Sequence, residues 1–288
     1  MTDGPKSAAR ALCVLIAALV ASSSVSAQLA PFNKQRVTFR SGDLTLTGCL
    51  YKPDGAGPFP TLIWNHGSEP NPGGGAQFDS VAAIFVPAGY AVLAPIRRGH
   101  GDSEGDYIQD RIAAAFRDSG PAAAERLMVQ LMGSEQLADQ LAGLAYAKTL
   151  PFVDTTRLVV AGCSYGGIET LLAAERRAGF KAAMAISPAA LSWRGHAVLQ
   201  ERLVEAVRRI EIPVLLIQPP RDASLEPAKV LGAEARRLGK TSFTAKVYPA
   251  TMPENQRGHC FGGAKGMRNW ASEALAFFGG VLGARPAR

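Results

Sequence analysis

Ser164 lies at the centre of the segment that is best suited to chemistry in this chain. An apolar run at residues 158–161 predicts a buried strand, and residues 168–177 have the spacing of a helix. Gly162 and Gly166 flank the serine at two residues on either side, so backbone segments can approach closely and hold it in a strained, exposed turn. The following helix would direct unpaired N–H groups at any negative charge that forms there. A serine placed in this way is suited to attack a carbonyl carbon.

The same Gly-x-Ser-x-Gly spacing occurs a second time, at residues 101–105 around Ser103. That copy lies several residues beyond its predicted strand, 90–95, and polar residues follow it instead of a helix. A nucleophilic serine needs the strand, the sharp turn and the helix together. We therefore predict that Ser164 is the nucleophile and that Ser103 bonds to the backbone of a local turn.

Two downstream residues are the candidates to activate this serine. A serine hydroxyl needs a base to take its proton, and the base needs a third group to fix its tautomer. Beyond Ser164 the chain contains one aspartate, Asp222, and beyond Asp222 it contains one histidine, His259. We predict that His259 is the base and Asp222 its partner.

The positions of these residues relative to the predicted strands support the assignment. Asp222 follows an apolar strand at residues 212–218, and His259 lies in a glycine-flanked loop after a strand at residues 242–248. In an open parallel sheet such loops meet beyond the carboxyl ends of the strands. Glu226 and Glu254 are the alternative acids, and they are disfavoured because neither directly follows a strand.

A second group of residues, after the predicted strand 60–65, is expected to bind the developing negative charge. The backbone N–H of Ser68, with that of Gly67 as the alternative, would join the N–H of Tyr165 in this role. The remaining histidines are expected to be structural: His66 shapes this turn, His100 bonds within its loop, and His196 is a surface or capping residue before a helix at 197–209.

Taken together, these segments resemble an α/β-hydrolase of the dienelactone hydrolase and prolyl-oligopeptidase-like group. The resemblance implies an α/β fold with an about eight-stranded, mostly parallel sheet, helices on both faces, and hydrolysis of esters or related acyl bonds. Dienelactone hydrolases proper carry a cysteine where this chain has Ser164, so their particular substrate is not implied. The loop before Asp222 also lacks the glycine and acidic residues that are usual in the family. The matching motifs lie at residues 64–68, 97–105, 150–154, 162–166 and 258–261.

Residues 106–136, after the fourth main strand, form an insertion longer than a plain connection. The pattern predicts two short amphipathic helices broken at residues 119–121. These helices could fold over the active-site rim as a lid, or they could simply cover the edge of the sheet. The residues expected to line the lid are Tyr107, Phe116, Leu127, Met128 and Leu131.

The first 27 residues have the three parts of a secretory signal peptide. Lys6 and Arg10 give a positive start, residues 11–21 are apolar, and small residues at 25–27 offer a cleavage site after Ala27. The apolar run is shorter than the roughly 20 residues that span a bilayer, so an uncleaved anchor is the weaker alternative. We therefore expect an exported protein, periplasmic or extracellular, in which residues 28–288 form a single hydrolase domain without a stable membrane anchor.

The composition and residue spacing limit the kinds of partner and cofactor that this chain is expected to bind. The 288 residues carry a formal net charge of +7, but the basic residues are scattered and lack interleaved aromatics, so nucleic-acid binding is not expected. No spacing typical of metal ligands is present, and no cofactor is expected. Cys49 is expected to be a small apolar residue that fills space beside its strand. Cys163 and Cys260 adjoin the two catalytic candidates, and the sequence leaves open whether they form a disulfide.

The sequence thus predicts an exported serine hydrolase that cleaves carboxylic esters, or related acyl bonds, through a Ser-His-Asp triad and an acyl-enzyme intermediate. A small-molecule ester is the expected substrate. A prolyl-oligopeptidase-like peptidase is an alternative, although those enzymes usually carry a large propeller for which this chain has no room. A non-catalytic binding protein on the same fold is the other alternative. The acyl and alcohol specificity and the oligomeric state are left open.

Overall fold

The structure, a computed structural model, describes residue 1, residues 34–72 and residues 76–283. Nearly all of the predicted signal peptide therefore lies outside the described residues. The described residues from 34 onward belong to one unit, Pro31–Arg288. No helix within the described part of the chain is long and apolar enough to cross a membrane.

The described residues form one eight-stranded sheet in the order β1-β2-β4-β3-β5-β6-β7-β8. The pairs β1–β2 and β2–β4 are antiparallel, and the neighbours from β4 to β8 are parallel. This topology confirms the predicted α/β-hydrolase type of sheet. The strands are β1 (Gln35–Ser41), β2 (Leu44–Tyr51), β3 (Phe59–Asn65), β4 (Ala91–Ile96), β5 (Val153–Cys163), β6 (Phe180–Ile186), β7 (Val214–Gln218) and β8 (Phe243–Val247).

Helices alternate with the parallel strands, as the crossover connections of such a sheet require. The predicted insertion after β4 is present as two helices, and the break between them falls at Gly120, with Pro121 at the start of the second. The helices are α1 (Ala76–Phe85), α2 (Ile108–Ser119), α3 (Pro121–Leu131), α4 (Leu137–Thr149), α5 (Tyr165–Glu175), α6 (Ala197–Arg209), α7 (Glu226–Arg237) and α8 (Arg268–Leu282). A π turn, Met132–Gln136, joins α3 to α4.

The core lies on both faces of the sheet because the central strands are apolar on both sides. In β5, Leu158 and Val160 pack into one cluster with residues of α4, α5, α6 and α7. Val159 and Ala161 point the opposite way, into a cluster with α1 and α8. Side chains alternate across a strand, so a strand covered by helices on both faces has no polar side.

The consequence for function lies at the carboxyl ends of the parallel strands. β3, β5, β7 and β8 lead into the loops that carry Ser68, Ser164, Asp222 and His259, in that order. The carboxyl ends of these strands lie within about two residues of the predicted ones, whereas β5 begins at Val153, well before the predicted run at residues 158–161. All of the predicted site residues therefore follow strands that share one edge of the sheet.

Candidate active site

The turn between β5 and α5 holds Ser164 in a backbone conformation that few residues other than glycine adopt. Its φ is 60° and its ψ is −121°. The Ser164 N–H donates to the carbonyl of Ile186 at the end of β6, at 2.9 Å, which fixes the turn against the neighbouring strand. Such strain persists only where the surrounding structure holds it, and it presents the side chain at the rim.

Two glycines make this turn sterically feasible. A Cβ atom on Gly166 would lie 2.0 Å from the carbonyl oxygen of Asn65, and one on Gly162 would lie 2.6 Å from the same oxygen. The end of β3 thus passes directly against the turn. The Asn65 side chain also donates to Thr170 of α5 at 3.0 Å, so β3 and α5 are joined at this point.

The structure brings Ser164, His259 and Asp222 together. The His259 Nε2 atom lies 2.8 Å from the Ser164 Oγ atom, and the His259 Nδ1 atom lies 2.7 Å from Asp222 Oδ1. The Asp222 side chain is fully buried, whereas the side chain of His259 is 24% exposed. When Nδ1 carries the imidazole proton and donates a hydrogen bond to the carboxylate, Nε2 is free to accept the serine proton.

The Asp222 carboxylate is itself held in place. Oδ1 accepts the N–H of Ala223 at 2.9 Å, and Oδ2 accepts from Gln218 Nε2 at 3.2 Å. Gln218 is fully buried at the end of β7, and its amide also binds the backbone at Ser224 and Ala228. A rigid buried amide therefore sets the position of the carboxylate.

The two alternative acids are engaged elsewhere. Glu226 begins α7 and pairs with Lys229 at 3.0 Å, and Glu254 pairs with Arg221 at 2.9 Å. Both pairs are largely exposed to solvent. Asp222 is thus the acid within hydrogen-bond distance of His259.

The loop that carries His259 is anchored by the residues that follow the histidine. Cys260 and Phe261 both have positive φ values, 51° and 58°. Phe261 is fully buried and packs edge-to-face on Tyr248, with ring centroids 5.0 Å apart. The Cys260 N–H donates to the hydroxyl of Ser187, after β6, at 3.2 Å.

A disulfide joins Cys163 to Cys260, with the two Cα atoms 6.1 Å apart. The sequence left this pairing open, because bridging geometry depends on the folded chain. The bond connects the residue before Ser164 with the residue after His259, so it ties the two loops at the catalytic candidates themselves. Cys49 is free and buried in β2, in agreement with its predicted role as an apolar filler.

The predicted oxyanion donors lie on either side of the serine. Tyr165 is the first residue of α5, so its N–H has no partner within the helix. Ser68 is exposed in the loop after β3, and its carbonyl accepts the hydroxyl of Tyr107 at 2.8 Å. The role of these N–H groups stays a prediction.

His66 and His100 are buried and lie outside the triad, as the sequence predicted. Nε2 of His66 accepts the Arg97 N–H at 3.1 Å, and Nδ1 of His100 bonds the Arg98 carbonyl at 2.9 Å. Burial, together with the charge of Arg97, lowers the pKa of His66 well below its usual value and that of His100 to about 4. Both rings are therefore neutral at pH 7.

His196 immediately precedes α6, but its side chain makes no capping bond there. Of the two roles that the sequence left open for it, the structure favours the surface position, because 38% of the side chain is exposed.

Ser103, the alternative elbow serine, occupies a buried turn. Its hydroxyl donates to the carbonyl of Ile96 at 2.7 Å and accepts the N–H of Thr47 at 2.9 Å. It therefore joins β2 to the end of β4. The prediction that it is a turn residue is confirmed.

The helices of the predicted lid make mixed contacts. Leu131 is buried, and Leu127 and Met128 are partly buried against the same core cluster. Tyr107 reaches the loop of Ser68, whereas Phe116 is 56% exposed. Several residues of the insertion thus pack against the core, and Tyr107 contacts the active-site loop. Whether residues 106–136 open as a lid stays a prediction.

Three polar residues near the site received no role from the sequence: Arg97, Gln218 and Glu169. Arg97 follows β4, Gln218 ends β7, and Glu169 lies on the buried face of α5. Each is a polar residue within an apolar stretch, and this interruption is the sequence feature that could have identified it. Both carboxylate oxygens of Glu169 are buried, and they face the side chain of Tyr165. Burial raises the pKa of Glu169 to about 8, with Arg97 opposing the shift.

Residues 124–213 match the model of the prolyl oligopeptidase family. The quorum-quenching protein AidA of Acinetobacter baumannii is 30% identical over 141 residues. That match covers 48% of this chain and 38% of AidA, so the chain is aligned with well under half the length of this relative.

Solved structures show the same fold. An esterase from Pyrococcus furiosus has a TM-score of 0.65 at 18% identity, covering 87% of this chain and 92% of its own. Est1E from Butyrivibrio proteoclasticus, solved with ferulic acid, has a TM-score of 0.63 at 20% identity, covering 86% and 99%. An acylaminoacyl peptidase from Pyrococcus horikoshii has a TM-score of 0.65 at 18% identity, covering 87% of this chain but 42% of its own. From its sheet topology, its elbow and these likenesses, the chain has the α/β-hydrolase fold and resembles the serine hydrolases that share it.

Proposed function

We propose that this protein is an exported serine hydrolase that cleaves small carboxylic esters through Ser164, His259 and Asp222. The observation that carries the proposal is the position of His259, which lies 2.8 Å from the hydroxyl of Ser164 and 2.7 Å from the carboxylate of Asp222. In this series of hydrogen bonds the imidazole can take the serine proton, so the serine is activated without a metal.

The reaction would proceed in two steps. His259 takes the proton from Ser164 as its oxygen attacks the ester carbonyl, and Asp222 stabilises the imidazolium that forms. The N–H groups of Tyr165 and Ser68 bind the oxyanion of the tetrahedral intermediate. His259 then gives its proton to the leaving alkoxide, the alcohol departs, and a water molecule releases the acyl group by the same route.

Likeness to two esterase structures favours an ester substrate. This chain aligns with 92% of the Pyrococcus furiosus esterase and with 99% of Est1E, whereas it aligns with 42% of the acylaminoacyl peptidase. The test is hydrolysis of p-nitrophenyl esters of increasing acyl length, a feruloyl ester and a dipeptidyl p-nitroanilide under the same conditions. Faster cleavage of the anilide than of every ester would refute the ester proposal.

The nucleophile is tested by Ser164→Ala, with Ser103→Ala as the matched control because both serines lie in a Gly-x-Ser-x-Gly segment. We expect Ser164→Ala to abolish both ester hydrolysis and labelling by a fluorophosphonate probe while circular dichroism stays native. Ser103→Ala should lose some stability, because the buried hydrogen bonds of its hydroxyl are removed, but it should keep its activity. Full activity of Ser164→Ala would reject the mechanism, and an unlabelled wild-type protein would favour a binding protein.

Export is proposed on two observations. Residues 1–27 have the composition of a signal peptide, and the disulfide between Cys163 and Cys260 is of a kind that persists in oxidising compartments. The test is expression of the full chain in a bacterial host, followed by fractionation and N-terminal sequencing. A protein retained in the cytoplasm with Met1 or Thr2 as its first residue would contradict export.

A further inference from the structure

Arg97 is an arginine buried directly beneath the active-site loops. Its relative exposure is 2%, and it follows the last residue of β4. A buried guanidinium has to be hydrogen-bonded, because leaving it without partners costs several kcal/mol. The mechanism proposed above does not use this residue, so its partners indicate what it is for.

Two of these partners are carbonyl groups of the loop that follows β3. Nη1 of Arg97 donates to the carbonyl of His66 at 2.9 Å, and Nη2 donates to the carbonyl of Gly67 at 2.5 Å. The Nε atom donates to the side chain of Gln136 at 3.1 Å, and the backbone N–H donates to the ring of His66. One planar guanidinium thus holds two consecutive peptide groups of the loop.

The carbonyl of Gly67 and the N–H of Ser68 belong to the same peptide group. In a trans peptide the C=O and N–H bonds are coplanar and point in opposite directions. When Arg97 binds the carbonyl from the buried side, it directs the Ser68 N–H away from the interior. The same reasoning applies to the carbonyl of His66 and the N–H of Gly67, the alternative donor.

The other oxyanion donor is also in contact with Arg97. The guanidinium carbon lies 4.7 Å from the centroid of the Tyr165 ring, in the range of a cation–π contact. Tyr165 is buried, and its backbone N–H is the second predicted donor. Arg97 therefore contacts Tyr165 and the peptide group that carries the Ser68 N–H.

We propose that Arg97 is a positioning residue of the oxyanion hole, which orients the Ser68 peptide group and polarises it toward the reacting carbonyl. The proposal rests on the proposed function. A charged donor on the carbonyl strengthens the hydrogen bond that the N–H of the same peptide group makes, because bonds in such a chain polarise one another. The contribution is made in the transition state, where the oxygen carries charge, and so it acts on kcat more than on substrate binding.

The test compares Arg97→Lys with Arg98→Lys. Both changes keep a positive charge, but lysine cannot bind two carbonyls with one planar fork. Arg98 is a matched control because it is adjacent and largely buried, and it binds Asp139 and Glu135 instead of the loop. Each rate is divided by the concentration of active sites titrated to completion with a fluorophosphonate, so that unfolded protein does not count.

For Arg97→Lys we expect kcat to fall by about 10- to 100-fold with KM nearly unchanged, and for Arg98→Lys we expect less than about a threefold change in kcat. Complete loss of one oxyanion donor typically costs about 10²–10³-fold, which bounds the effect. The affinity for a trifluoromethyl ketone, which forms a tetrahedral adduct with the serine, should fall by the same factor as kcat/KM. A role confined to stability would leave that affinity unchanged per active site.

The inference is overturned if titrated Arg97→Lys keeps the wild-type kcat, if both variants lose activity equally, or if KM rises while kcat holds. Arg97→Gln, which removes both the charge and the guanidinium fork, is a second variant and should lose at least as much inhibitor affinity per active site as Arg97→Lys. The proposed function fails separately, by activity of Ser164→Ala. An inactive Ser164→Ala together with an unaffected Arg97→Lys would reject only the role of Arg97.

Discussion

Replacing both Cys163 and Cys260 with alanine is expected to lower the stability of the fold and the rate of ester hydrolysis together. The bond joins residues that are 97 positions apart, so it closes a long loop in the unfolded chain. In the chain-entropy account, a loop of about 100 residues corresponds to about 4.7 kcal/mol of stabilisation. This figure is an upper bound, since disulfides often stabilise a fold by less than the chain-entropy account predicts.

The effect on the rate follows from the position of the bond. Its two ends adjoin the serine and the histidine, whose reacting atoms lie 2.8 Å apart. A misplacement of about 1 Å costs about 100-fold in rate. Phe261 and the bond from Cys260 N–H to Ser187 still anchor the histidine loop in the double variant. We therefore expect kcat to fall by about 10- to 100-fold with KM little changed.

The assay combines urea unfolding with steady-state kinetics, and Cys49→Ala is the matched control because Cys49 is buried and free. Reduction of the wild-type protein should lower its stability and its kcat to those of the double variant. Reduction should lower both quantities in Cys49→Ala as well, because that variant keeps the disulfide. Trp64 and Trp270 line the same small cavity as the disulfide, so their emission should rise when the bond is broken. A double variant within about 1 kcal/mol and twofold in kcat of Cys49→Ala would refute the reasoning.

Three further outcomes are expected. Asp222→Asn should lower kcat by about 10⁴-fold with a native circular dichroism spectrum, because an amide no longer holds the imidazole in its productive tautomer; a loss under tenfold would contradict this. Tyr107→Phe removes the bond to the Ser68 carbonyl and should lower kcat severalfold, and a change in KM alone would indicate a substrate contact instead. Glu169 has a folded-state pKa of about 8 against its ordinary 4.5, so the folded state binds a proton that the unfolded state lacks, and stability falls as pH rises between these values. The expected fall in the free energy of unfolding is up to about 1.4 kcal/mol per pH unit. Urea unfolding from pH 5 to pH 8 should show no such fall in Glu169→Gln, whereas the fall should persist in Glu201→Gln, a change at an exposed residue. Stability curves of the two variants that run parallel with pH would refute the account.

The sequence by itself determined the class of fold and the identity of the three residues at the site's centre. The buried strands read as apolar runs, because a parallel sheet covered on both faces has no polar side, and Ser164 was set apart from Ser103 by the helix that follows it. Asp222 and His259 could be chosen by elimination, since the chain beyond the serine offers one aspartate and, after it, one histidine. These are local or countable properties.

Only the tertiary structure decided how the site is held. The pairing of Cys163 with Cys260 depends on Cα atoms that the fold brings within 6.1 Å, and no spacing along the chain encodes that distance. The role of Arg97 likewise arises from contact with a loop on a different strand. A buried polar side chain takes its meaning from its partners, and partners far apart in the chain meet only when the sheet has formed.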